Sequence, residues 1–356
     1  MAYDRREKRL PNMQTDKKKT VKWKKKSPPP KVSVVIPFYN RKKYVKECLE
    51  SVLNSTLQDI EVICVDDGSA DGTTEYLKHL SRKDKRIRFF SCPHEGAYKA
   101  RWAGVKKAMG EYVHFMDSDD MIEPSAYGEC YKLCKENNLD YLVFNALPFT
   151  REDPSESETR MKENFDNHYF LDGECCGKVM TGIELFGELL SRKSFFVPFH
   201  MRMVRRTLVL DSDLTECRAY WHGDNFYAVV WLYNAARAMA VDRKFCLRRV
   251  HWDSITMSKN AESVHFQSML CVILSLCRFW KFSSRCTKTG TPESEYMFRL
   301  VRGLNKRRGK MDAEEMFAEV DKAMEGYPKD QIAFLKMCFI PLMVKWSALN
   351  RKATTP

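Results

Sequence analysis

The stretch "EYVHFMDSDDM", residues 111–121, decides how this chain is read. Four of its first six positions are apolar, as in a buried strand, and it then places Asp117, Asp119 and Asp120 within four residues. Carboxylates this close repel one another and stay ionised cheaply only where solvent or a cation shares the charge. A hard divalent cation, Mg²⁺ or Mn²⁺, is the natural companion, because it takes oxygen ligands from one or two carboxylates together with substrate phosphates and water. The competing reading is a polar turn ahead of a helix that starts near Pro124.

Upstream of that stretch, β-branched runs alternate with helical spacing. "KVSVVIPFYN" (31–40) reads as a buried strand. "KYVKECLESVLN" (43–54) follows as a helix and "IEVICVDDGS" (60–69) as a second buried strand. A helix opening with Asp71 as N-cap, a strand over 86–92 and a helix over 96–110 ended by Gly110 complete the approach. Strands of this kind, lacking two-residue alternation, imply a mostly parallel α/β sheet covered on both faces. In such a sheet ligands bind beyond the carboxyl ends of the strands, where "PFYN", "DDGS" and "DSDD" all fall. Downstream, 150–167 reads as a polar loop. Helices are expected over 181–191 and 223–239, strands near 195–204 and over 240–252, and helices beyond 261.

The 356 residues, 44% hydrophobic and 12% aromatic, suffice for a sizeable core and argue against disorder or a fibre. The formal charge of +13 is uneven: twelve Lys/Arg against three acids in residues 1–31 account for most of it. What remains is only mildly basic, which weakens a nucleic-acid reading of the folded part. The arm itself is a solvated leader, a polybasic segment that meets anionic lipid with Trp23 at the interface, or a nucleic-acid arm. No apolar run follows it as in a signal peptide, and the apolar stretches 264–282 and 332–346 are interrupted by polar residues or proline. Thirteen cysteines without a CxxC pair point to a reducing cytosol rather than to zinc or disulfides.

Taken in order and spacing, "VSVVIPFYN", "EVICVDDGSADGT" and "GEYVHFMDSDD" resemble the nucleotide-sugar-binding half of a family-2 inverting glycosyltransferase of the GT-A fold. The likeness is close over about 31–125 and looser to 257, through "HMRMVRRTLVL", "WHGDNFY" and "RRVHWDSITM". It implies a Rossmann-like GT-A domain over 31–260, with a nucleotide-sugar half at 31–125 and an acceptor half at 126–260. Residues 1–30 are then a basic disordered tail and 261–356 a helical C-terminal region.

The resemblance also implies roles. Pro37, Phe38 and Tyr39 end the first strand beside the nucleotide, with Tyr39 placed to stack on a uracil. Asp67 accepts from the base N3–H, and Gly68 lets the loop approach closely. Asp117 faces ribose and metal, Asp119 is the principal metal ligand and Asp120 stands behind them. Asp224 of "WHGDNFY" matches the general base, although Gly223 stands where the family's acidic pair begins with Glu; Asp224 also suits an N-cap, and Glu216 and Asp253 are fallbacks. His251 either reaches the metal or is structural. Arg248 or Arg249, with Ser254 and Thr256, resembles the segment closing over donor phosphates. Lys99 and Arg101 are diphosphate candidates or a solvated helix face.

The implied protein is a cytosolic, Mn²⁺- or Mg²⁺-dependent enzyme that moves a sugar from a nucleotide-sugar, a UDP-sugar foremost, to a hydroxyl of a glycan, lipid carrier or polymer. It would sit peripherally on the inner face of the membrane, and no nucleic-acid partner is expected. A non-catalytic glycan-binding scaffold, a nucleic-acid or membrane adaptor acting through the basic arm, and a nucleotidyltransferase are the alternatives.

Overall fold

β1 (Val32–Phe38) and β2 (Ile60–Asp66) are buried at every position, including the polar Ser33 and Glu61, whose side chains pair at 2.6 Å across the two strands. The computed structural model describes residues 28–150, 173–212, 222–251, 262–281 and 290–307, with isolated positions between and beyond them. The basic arm and nearly all of the chain after 307 lie outside the described residues, as do most of the polar stretch 151–170, Glu216, Asp253, Ser254 and Thr256.

Along the first half, β1 is followed by α1 (Lys42–Leu53), β2 by α2 (Thr73–Lys83), and β3 (Ile87–Ser91) by α3 (Ala97–Val105). Then come β4 (Tyr112–Phe115), β5 (Met121–Ile122) and α4 (Ala126–Glu136). The second half holds β6 (Tyr141–Phe149), α5 (Gly182–Ser191), a 3₁₀ turn at Phe199–Met201, β7 (Arg202–Arg205) and α6 (Arg206–Asp211). α7 (Gly223–Asn234), β8 (Ala238–Arg249), α8 (Glu262–Phe279) and α9 (Pro292–Arg307) follow.

The eight strands form one sheet in the order β3-β2-β1-β4-β7-β6-β8-β5. β1 pairs in parallel with β2 and β4, and β2 with β3, so the first half is the parallel sheet expected from the strand–helix alternation. β7 inserts antiparallel between β4 and β6, and β5 runs antiparallel to β8, which makes the second half mixed.

Each face of the sheet carries its own core. Val34 and Ile36 of β1 pack with Val45, Cys48, Leu49 and Val52 of α1, which recur at helical spacing. Val35 points to the other face, where α3, α5, α7, α8 and α9 bury their apolar residues together. The C-terminal helices thus share a core with the sheet as far as α9.

Several expected boundaries shift. α3 ends at Val105, not at Gly110; Gly110 instead donates to Ser33 Oγ at 2.8 Å, and a Cβ there would lie 2.6 Å from the Ser33 backbone. Gly72, with φ of 88°, caps α2, and Asp71 one residue earlier accepts from the Thr73 N–H at 3.0 Å. The strand expected near 195–204 is confined to Arg202–Arg205. Asp224 lies inside the first turn of α7, whose N-cap is His222 in the left-handed region at φ of 62°, so its expected capping role is not seen.

Candidate active site

Parallel pairing brings the carboxyl ends of β1, β2 and β4 side by side. Asp67 donates its N–H to Phe38 O at 2.8 Å and Met116 to Val35 O at 3.1 Å, so the three motifs open into one crevice. The DSDD turn closes on itself through Asp120 N–H to Asp117 O at 3.2 Å.

Cationic and imidazole groups share the charge of the three carboxylates. Arg101 of α3 donates to Asp117 Oδ1, and His200 Nδ1 lies 3.4 Å from Asp117 Oδ2. Burial works to raise the Asp117 pKa, but Arg101 and His200 override it and hold the carboxyl well below the usual range. Asp119 Oδ2 is 3.0 Å from His251 Nε2 and 3.9 Å from Arg41 Nε. Asp120 is buried; it accepts the Arg249 N–H at 2.8 Å, and burial followed by the charges of Asp119 and Asp117 pushes its carboxyl up.

A divalent cation fits this donor set. His251 Nδ1, on the ring that faces Asp119, is a buried polar atom without a hydrogen-bond partner among the described residues. Carboxylate oxygens with one imidazole suit Mn²⁺ better than Mg²⁺, which prefers oxygen alone. A second grouping was not expected: Asp120, His200 and Cys246, all buried, bring ligand atoms within 4.8 Å of one another.

On the nucleotide side, Pro37 and Phe38 are buried in β1, whereas the Tyr39 ring is 43% exposed and stacks on His94 with centroids 4.0 Å apart. Asp67 anchors the turn that carries His94. It accepts from Glu95 N–H at 2.9 Å, Gly96 N–H at 3.0 Å and His94 Nδ1 at 2.9 Å. Gly68 has φ of 78°, and a Cβ there would lie 3.2 Å from both the Cβ and the backbone N of His94, so a side chain would meet both backbone strain and the main chain of that turn.

The expected phosphate cations divide. Lys99 is exposed and pairs with Glu95 at 2.8 Å one turn away, an ordinary solvated face. Arg249 is committed to the protein: its Nε donates to Asp119 O at 2.9 Å, its guanidinium pairs with Glu47, and it lies 4.6 Å from the Phe149 ring centroid.

Asp224 approaches the crevice from α7. Its N–H donates to Tyr98 Oη at 2.6 Å, and its carboxylate accepts the Asn225 N–H at 3.1 Å. Burial pushes the carboxyl up to about 6, against the opposing pull of Arg202 and Arg101; Asp117 adds to the rise. Arg101 therefore acts electrostatically on both the DSDD turn and Asp224.

The sequence profile of glycosyl transferase family 2 matches residues 33–211, just over half of the chain and the segment that builds β1 through β7. The chain belongs to glycosyl transferase family 2. Curated relatives bear glycosyltransferase names. An uncharacterized glycosyltransferase of Rickettsia felis is 44% identical over 109 residues, 31% of this chain and 18% of that protein. The uncharacterized glycosyltransferase YibD of Escherichia coli is 27% identical over 226 residues, 64% of this chain and 63% of YibD. The chain spans less than two thirds of the length of these relatives.

Among solved structures, S. aureus TarS 1–349 in complex with UDP superposes with a TM-score of 0.57 at 17% identity, covering 87% of this chain and 88% of that one. The mannosyltransferase PcManGT from Pyrobaculum calidifontis, in complex with GDP-Man and Mn²⁺, gives 0.52 at 14% identity over 87% and 80%. These likenesses establish the fold of the family 2 domain.

Within this family 2 domain, Asp117, Asp119, Arg101 and His251 converge, while Lys99 stands apart and Ser254 lies outside the described residues. His200, Arg41, His94, Tyr98 and Cys246 were not picked out from the sequence. His200 stands in "FHMRMVRR", where a single His before a strand gives no sign that the fold carries it to Asp117.

Proposed function

We propose that this glycosyltransferase transfers a sugar, with inversion, from a UDP-sugar to an acceptor hydroxyl, with a divalent cation at the DSDD turn and Asp224 as general base. One observation carries this reading: Arg101, which pairs with Asp117 of the DSDD turn, also acts together with Arg202 on the Asp224 carboxyl, which burial raises to about 6. Donor and acceptor chemistry need such groups on either side of one sugar carbon.

Asp117, Asp119 and His251 would hold the cation, which offsets the charge that appears on the departing diphosphate. Tyr39 offers a half-exposed ring for the base to stack on. A carboxylate provides about four acceptor sites; in Asp67 three take N–H donors, and only the Cys92 thiol, 3.8 Å from Oδ1, approaches the other. An N3–H of the base that displaced this thiol would select uracil over cytosine.

Asp224 takes the acceptor proton as the hydroxyl attacks opposite the leaving group. With its carboxyl at about 6 it is mostly ionised at neutral pH and still basic enough to serve. UDP-GlcNAc is a reasonable first donor, since a TarS structure contains it. The acceptor is a glycan, a lipid carrier or a polymer. The arm, with its excess of Lys and Arg, supports a peripheral contact with anionic lipid; no helix among the described residues is long and apolar enough to cross a membrane.

Incubation with UDP-sugars and analysis of the products tests the reading. Release of UDP with a product of inverted anomeric configuration supports it. Release of pyrophosphate would make the protein a nucleotidyltransferase, and no turnover of any nucleotide-sugar would favour a glycan-binding scaffold.

A further inference from the structure

Gly223 stands where the acidic pair that Asp224 completes would begin with Glu, and the structure supplies a physical reason. A Cβ at Gly223 would lie 2.8 Å from Tyr98 Cζ and 2.9 Å from Cε1, closer than packed atoms come. The Tyr98 ring occupies the space that a side chain at 223 would need. Its hydroxyl accepts the Asp224 N–H at 2.6 Å, one of the donors that the first turn of a helix leaves without an intrahelical partner. His222, at the N-cap of α7, provides no side-chain cap.

We propose that Tyr98 is the positioning residue of Asp224: a tyrosine on α3 takes over the cap of α7 and fixes the base carboxylate, and Gly223 is the vacancy that admits it. The inference rests on the reading of Asp224 as general base.

The placement of Tyr98 is itself well determined. The ring packs at 5.8 Å from both Phe199 and Tyr227, which set it edge-on and tilted. Burial holds the phenol well above its ordinary pKa, so the hydroxyl keeps its proton at any working pH. One helical turn along α3, Arg101 pairs with Asp117 and lies 5.7 Å from the Tyr98 ring centroid. A single rigid turn of α3 therefore touches the donor side through Arg101 and the base side through Tyr98. It sets the span between leaving group and base, where small misplacements cost rate steeply.

Two variants and two readouts test this. Tyr98→Phe keeps the ring and removes the acceptor. In UDP-GlcNAc turnover it is expected to lower kcat by about 10-fold or more, with UDP affinity unchanged, and to move the acid limb of the pH profile away from 6. Gly223→Ala is expected to lower stability in the Tyr98 protein and to cost much less in a Tyr98→Ala background, a coupling that denaturant titration reads without any substrate.

Wild-type kcat and pH limb in Tyr98→Phe, while Asp224→Asn abolishes turnover, would overturn the positioning role. Equal cost of Gly223→Ala in both backgrounds would overturn the packing argument. If Asp224→Asn retains turnover, the base reading fails instead. The Asp224 carboxyl titration, followed by carbon-13 NMR in wild type and Tyr98→Phe, then decides whether Tyr98 governs that carboxyl: a shifted titration upholds the link and an unchanged one refutes it.

Discussion

The main-chain N–H of Arg249 donates to Oδ1 of Asp120 at 2.8 Å, which fastens the last residue of β8 to the DSDD turn. The bond is shielded, since Asp120 is only 3% exposed, and the Arg249 side chain reinforces it through Asp119 O and Glu47. Asp120 therefore holds the turn that presents its two neighbours.

Removing that acceptor leaves a shielded N–H without a partner. Asp120→Ala is expected to lower stability by about 1–3 kcal/mol at acid pH, where the carboxyl is neutral and its removal relieves no repulsion, and by less as pH rises. Urea denaturation of the two proteins at acid pH checks it, and a smaller loss there would mean that the turn stands without its tie to β8.

The Asp224 carboxyl, raised to about 6, has consequences of known sign. Between the ordinary carboxylate value and 6 the folded protein holds a proton that the unfolded chain has released, so stability falls as pH rises through that window. Asp224→Asn should therefore raise Tm at pH 7–8 and have no such effect below about pH 4, while turnover is lost. Turnover of the wild type should climb tenfold per pH unit below 6 and level above it. Thermal melts of both proteins at the two pH values, with a wild-type rate profile, check each sign.

Two glycines of α5 separate close packing from helix propensity. A Cβ at Gly182 would lie 1.5 Å from Leu232 O, a backbone atom that cannot yield without moving α7. At Gly187 the nearest atom is Pro292 Cγ at 3.5 Å, an ordinary contact. Gly182→Ala should therefore destabilise severely, and Gly187→Ala should be neutral or gain up to about 1 kcal/mol. Comparison of their urea midpoints tests the approach of α5 to α7.

The first half of the sheet was legible because its signals are local. β1 and β2 are runs of β-branched residues buried on both faces, and α1 shows its core stripe as Val45, Cys48, Leu49 and Val52. The antiparallel insertion of β7 was not legible, since "RMVR" is four residues long and its two partners, β4 and β6, lie far off in sequence. His200 and Tyr98 escaped for the same reason. Each gains its meaning from a contact across 83 and 126 residues, with Asp117 and Asp224 respectively. Asp224 stood out by pattern, yet its expected role as N-cap failed because His222 takes the left-handed position one residue before the helix begins.

On the proposed function, the carboxylates of Asp117, Asp119 and Asp120 follow β4 in order to hold a nucleotide-bound cation. Titration calorimetry of UDP into wild type and Asp119→Ala, with Mn²⁺ and again with EDTA, tests it most directly. UDP binding is expected to require Mn²⁺ and to be lost in Asp119→Ala. UDP binding of equal strength with EDTA, or in Asp119→Ala, would contradict it and make DSDD an ordinary polar turn.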